Sequence, residues 1–128
     1  MAKILLVEDN EMNRDMLSRR LKKRGYEVEI AVDGAEGVDK ARAGSPELIL
    51  MDMSLPVKDG WEAISEITGA LGTKRPFLIS HSAGILEDDA VRARRKGAHA
   101  HLPKPARPEQ VHETLRAAMR HEGVEVGG

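Results

Sequence analysis

The run Leu48-Ile49-Leu50-Met51 is apolar at every position and ends on an acid, Asp52. A strand with one wet face alternates apolar and polar side chains, so this run belongs to a strand covered on both faces. Covering both faces takes helices on each side of a parallel sheet, and the rest of the chain supplies them. Four further short runs, Ile4–Val7, Tyr26–Ala31, Phe77–Ser80 and Ala98–Leu102, are separated by longer segments of helical periodicity. That alternation predicts consecutive βα units. Tyr26–Ala31 alternates, with Val28 and Ile30 against Glu27 and Glu29, as an edge strand does.

The helices are bounded by local signals. Residues 11–24 place Met12, Met16, Leu17 and Leu21 on one face and gather Arg19, Arg20, Lys22, Lys23 and Arg24 toward the C-terminal end. Cations there complement the helix dipole, so the basic run reads as a solvated helix end rather than an anion site. Gly25, Gly44 and Gly97 follow helical segments in the position of a left-handed cap. Asp33 followed by Glu36 reads as a capping box for the second helix. The third covers Gly60–Thr68 with Trp61, Ile64 and Ile67 inward, and the fourth residues 86–96. The fifth covers Pro108–Arg120 with a stripe of Val111, Leu115 and Met119. Residues 122–128 read as a flexible tail. Five βα units joined by right-handed crossovers give a doubly wound three-layer α/β sandwich in one domain, residues 1–121.

Composition narrows the function. With 128 residues the chain buries a core without staples, and it has no cysteine, so disulfide and thiol chemistry are excluded. A net charge of −1 gives no overall attraction to nucleic acid or membrane. The N-terminal apolar run is too short for a signal peptide or a span, which places the chain in the cytoplasm, and the Met1 start with a short tail reads as a complete protein.

In an open parallel sheet the working site lies beyond the carboxyl ends of the strands. Glu8 and Asp9 follow the first strand, Asp52 ends the third, Ser82 follows the fourth and Lys104 the fifth. Three carboxylates brought together repel, and a hard divalent cation such as Mg²⁺ relieves that repulsion. A carboxylate can accept a phosphoryl group as an acyl phosphate, with a lysine and a hydroxyl holding its oxygens. The plain alternative for Glu8 and Asp9 is capping of the next helix. Asp52 has no such alternative, because burying it at the end of an apolar strand is costly. Lys104 is fixed between Pro103 and Pro105.

Lys3-Ile4-Leu5-Leu6-Val7-Glu8-Asp9-Asn10, Leu48–Pro56 with Asp59-Gly60, and Lys104-Pro105 together resemble the receiver domain of bacterial two-component response regulators over residues 2–120. The resemblance implies a flavodoxin-like sheet of order 2-1-3-4-5. It makes Asp52 the phosphoacceptor, with Mg²⁺ held by Asp9, Asp52, the Ser54 carbonyl and Glu8 through water. Lys104 and Ser82 would bind the phosphoryl oxygens, and Lys104-Pro105 would be a cis peptide. The implied activity is that of a switch rather than an enzyme, catalysing only its own phosphorylation and dephosphorylation, with Ser54 and Gly84 bordering the path of hydrolytic water. The implied partners are a sensor histidine kinase or a histidine phosphotransfer protein. Downstream, a protein or a second copy would read the face of helix four, strand five and helix five, where Arg92, Arg94, Arg95 and Lys96 are either partner contacts or a solvated face.

The chain departs from the family pattern twice. Ser82 stands where threonine is usual, with His81 as the competing position. His101 stands at the aromatic switch position. His99 and His101 share a strand face, but no further ligand accompanies them to make a metal site. Two other classes compete. An aspartate-nucleophile phosphatase needs two aspartates two apart after the first strand, whereas Asp9 is followed by Glu11. A pseudo-receiver would keep the fold as a binding module without phosphorylation.

Overall fold

A computed structural model describes residues 3–44, 46–53, 55, 58–71, 76–82, 87–103 and 108–121. The strands are β1 (Lys3–Val7), β2 (Glu27–Ala31), β3 (Leu48–Asp52), β4 (Phe77–Ser82) and β5 (Ala100–Pro103). The helices α1 (Glu11–Lys23), α2 (Gly34–Gly44), α3 (Gly60–Leu71), α4 (Glu87–Lys96) and α5 (Pro108–His121) alternate with them. All ladders are parallel and the order is β2-β1-β3-β4-β5. The apolar strand β3 is therefore central and wholly buried, and the alternating strand β2 lies at the edge.

Successive residues of a strand feed opposite cores. Ile4, Leu6, Leu48, Leu50 and Ile79 pack with Leu17 and Leu21 of α1 and Val111 of α5. Leu5, Val7, Ile49, Met51 and Leu78 pack with Val38 and Ala41 of α2 and Ala63, Ile64 and Ile67 of α3.

Several local expectations change. Met12 and Met16 are 82% and 42% exposed, so the buried face of α1 narrows to Leu17, Ser18 and Leu21. Trp61 packs against the core beneath α3 as expected but is only partly buried, with the Arg92 guanidinium over its ring, 4.2 Å from the centroid. Gly25 and Gly97 take positive φ (96° and 124°), whereas Gly44 is the last residue of α2 and lies outside that region. The carbonyl of Gly44 instead accepts from Lys3 Nζ at 3.2 Å. Tyr26 leaves the strand because α1 ends in a Schellman turn, with Gly25 N–H donating to Lys22 O and Tyr26 N–H to Leu21 O. β5 starts at Ala100 because His99 turns back on β4: its Nδ1 accepts from Leu78 N–H at 3.0 Å, and its ring stacks on Phe77. The Leu115 and Met119 side chains and residues 122–128 lie outside the described residues.

Candidate metal centre

β1 and β3 run side by side with Val7 level with Met51, so Glu8 leaves β1 beside Asp52. Glu8 N–H donates to Ala31 O at 3.1 Å, holding the chain in line one residue past the strand. Glu8 and Asp52 are 2% and 3% exposed, while Asp9 is exposed. One carboxylate oxygen from each of Glu8, Asp9 and Asp52 lies within 4.8 Å of the others.

The first two acids do not cap α1. The cap is Asn10, whose Oδ1 accepts from Asn13 N–H at 2.9 Å, so the competing explanation for Glu8 and Asp9 is removed. Arg14, one turn into the helix, reaches back to the Glu8 carbonyl at 3.1 Å and the Asp9 carbonyl at 3.4 Å. It fixes the backbone that carries both acids without neutralising their side chains at close range. Sequence reasoning missed Asn10 and Arg14 alike. An asparagine directly before a helical run is a readable cap signal, whereas nothing in the sequence gives the backward reach of Arg14.

The loop after Asp52 is drawn tight at two points. Gly60 N–H donates to Met53 O at 3.2 Å, and Asp59 Oδ1 accepts from Glu62 N–H at 2.9 Å to start α3. A Cβ on Gly34 would stand 1.7 Å from the Lys58 carbonyl oxygen, so α2 admits this loop only because position 34 has no side chain. Lys58 Nζ is paired with Glu66.

On the other side of Asp52, His81 is its ladder partner, and the His81 carbonyl accepts from Met53 N–H at 3.0 Å. Ser82 is level with Pro103, the residue before Lys104. The Ser82 side chain, Ser54, Gly84 and the segment with Lys104 and Pro105 lie outside the described residues. His101 Nδ1 is 2.6 Å from Ser80 Oγ, so His99 and His101 each place a ring nitrogen on β4. Among the described residues, Glu8, Asp9 and Asp52 form the one group of metal-ligating side chains.

This geometry accords with the comparisons. The response regulator receiver domain model matches residues 4–116. The chain belongs to the response regulator receiver domain family. The receiver is 33% identical over 119 residues to Protein PilH of Pseudomonas aeruginosa, covering 93% of this chain and 98% of PilH. It is 32% identical to the response regulator MprA of Mycobacterium tuberculosis, covering 93% of this chain but only 51% of MprA. Among solved structures, chemotaxis response regulator CheY4 of Vibrio cholerae superposes with a TM-score of 0.86 at 31% identity, covering 92% of this chain and 98% of CheY4. A CheY-like receiver from Methanospirillum hungatei gives 0.88 at 26% identity over 96% and 97% of the two chains.

Receivers hold Mg²⁺ at an acidic pocket, and the donor set here fits that ion. Three carboxylates offer hard oxygen ligands at close range, and exposed Asp9 leaves a side open to water, which Mg²⁺ tends to retain. Among the described residues no helix is long and apolar enough to cross a membrane.

Proposed function

We propose that this receiver is a cytoplasmic phosphoacceptor switch of a two-component system, carrying the phosphoryl group on Asp52. The convergence of Glu8, Asp9 and Asp52 at the carboxyl edge of the sheet carries this reading. Asp52 is the acceptor because it sits at the end of the central strand, buried and held by the backbone on both sides. An Asp52 Oδ attacks phosphorus in line, and the bond from phosphorus to the donor's nitrogen or oxygen breaks with its electron pair leaving on the donor. Asp9, Asp52, the Ser54 carbonyl and, through water, Glu8 would hold Mg²⁺. When bound, the ion neutralises charge on the transferring oxygens. Lys104 and the Ser82 hydroxyl take the remaining phosphoryl oxygens. Ser82 is favoured over His81 by its ladder position beside Pro103, next to the lysine.

The donor is a sensor histidine kinase or a histidine phosphotransfer protein, and the reader is a further protein or a second copy. The charge added at Asp52 biases a pre-existing equilibrium in the face of α4, β5 and α5. The only catalysis required is of the chain's own phosphorylation and hydrolysis.

The test is intact mass after incubation with acetyl phosphate, with and without Mg²⁺, beside Asp52→Asn. One Mg²⁺-dependent phosphoryl adduct that vanishes in the variant is expected. A folded protein that takes no adduct would make the chain a binding module instead.

A further inference from the structure

Arg14, the fourth residue of α1, does something that neither helix propensity nor a charged surface asks of it. Its own N–H donates to Asn10 O at 2.9 Å and closes the first turn, so the base of the side chain is fixed. Helix side chains lean toward the amino end, and this one leans past the cap to the acids before it. One guanidinium nitrogen, Nη1, donates to two consecutive carbonyls, Glu8 O at 3.1 Å and Asp9 O at 3.4 Å. Among the described residues Arg14 forms no ion pair, although Glu8 and Asp9 carry carboxylates beside those carbonyls. An arginine serving charge alone would turn its planar fork to a carboxylate, where it binds best.

The segment held in this way carries two of the three clustered carboxylates. Glu8 N–H is tied to Ala31 O at 3.1 Å and its carbonyl to Arg14, so its backbone is gripped at both ends. Asp9 follows, exposed and outside both β1 and α1. With Arg14 in place, the ordering of this link is met once, on folding. Without it, the ordering would be met each time a metal binds.

We propose that Arg14 is the positioning residue of the acidic centre: by gripping the Glu8 and Asp9 carbonyls, it sets the affinity for Mg²⁺. The role rests on the reading of that centre as a Mg²⁺ site. Charge and grip act here in opposite directions. A cation beside the carboxylates repels an incoming Mg²⁺, so removing the charge alone would tighten binding. Removing the grip loosens it, as loss of an outer hydrogen bond behind a metal's ligands does. The sign of the change separates the two.

The experiment titrates Mg²⁺ on Trp61 fluorescence in the full chain. Mn²⁺, which takes the same oxygen ligands, is counted independently by loss of its free paramagnetic signal. Arg14→Met should weaken both ions by about tenfold. Arg14→Lys keeps the charge but ends one atom short of Nη1, and should bind about threefold more weakly than wild type. Both deficits should persist at about 0.5 M potassium chloride, which screens a through-space charge effect. Asn10→Ala, which removes the cap of the same helix, is the structural control and should keep the wild-type affinity within about twofold. Tighter binding by Arg14→Met would mean that the site feels only the charge, and would overturn the proposal. So would unchanged affinity, or an equal deficit in Asn10→Ala. Should Arg14→Met fail to fold, Arg14→Lys decides alone, and wild-type affinity there overturns the proposal. A wild-type chain that binds neither ion would overturn the metal reading itself, whereas wild-type binding with unchanged variants would remove the role of Arg14 alone.

Discussion

A Cβ on Gly60 would stand 2.5 Å from Met53 Cα and 2.6 Å from the Asp52 carbonyl oxygen, and both are backbone atoms that cannot rotate away. Gly60→Ala should therefore cost about 1–3 kcal/mol, as overpacking does, and should weaken Mg²⁺ binding, because the displaced backbone carries Asp52, one of the three clustered carboxylates. Urea denaturation and Mg²⁺ titration on Trp61 fluorescence read the two effects. Wild-type values in both would mean that the loop relaxes without disturbing Asp52. A second residue-scale prediction concerns His112, whose Nδ1 lies 3.2 Å from the buried Tyr26 hydroxyl. Burial, aided by the Arg24 and Arg116 cations and partly opposed by Glu113, holds His112 below its ordinary value of 6.5. Burial pushes the Tyr26 phenol up, against Arg116 and Arg24. The unfolded chain thus takes up a proton on His112 at a pH where the folded chain does not. This contribution leaves stability level above about pH 6.5 and lowers it as pH falls toward the folded-state value. His112→Gln should lose this part of the slope between about pH 7 and 5.5, measured as urea midpoints. An identical slope in the variant would assign the dependence to other groups.

Helix α1 owes its start to Asn10 rather than to the acids before it. Asn10→Ala should lower stability by about 1 kcal/mol, Asn10→Asp should restore most of it, and neither should abolish the Mg²⁺-dependent adduct on Asp52. Loss of the adduct in a folded Asn10→Ala protein would show that the cap positions Glu8 and Asp9 as well as the helix. The elements themselves were readable before the structure because each carries its own period: the unbroken apolar run of β3, the alternation of β2, and Ile64 and Ile67 on α3. Asp33 capping Glu36 N–H at 2.8 Å was readable for the same reason, being local. What failed was whatever depended on tertiary neighbours. Nothing within α1 says that its flank is left open: its periodicity puts Met12 and Met16 on one face with the buried Leu17 and Leu21, yet both methionines are exposed. Gly44 follows a helical run as a cap glycine does, yet it takes no positive φ and its carbonyl accepts from Lys3, distant in sequence. At the site, the approach of Glu8, Asp9 and Asp52 was readable from topology, since all three lie at carboxyl ends of strands. The steric need for glycine at 34 and 60 was not, because it arises from contacts with the loop that those positions admit.

At the scale of the whole molecule, one sheet separates two cores, and adjacent residues of β1 report on them separately. Leu6 packs with Leu17, Leu21 and Val111 beneath α1 and α5, and Leu5 packs with Ile49, Val38 and Ile64 beneath α2 and α3. Both are 1% exposed, so Leu5→Ala and Leu6→Ala should each cost about 2–5 kcal/mol. The cores share every central strand, so neither can melt while the sheet that forms its floor stays ordered. Both variants should therefore unfold in one transition, with Trp61 fluorescence and far-ultraviolet circular dichroism coincident. Leu6→Ala is the sharper case, because Trp61 packs against the opposite core and reports a site that the substitution does not touch. If its dichroism were lost at lower urea than its fluorescence, the α1 and α5 layer would be a separate unit. Coincident curves would mean that both layers and the sheet between them unfold as one unit.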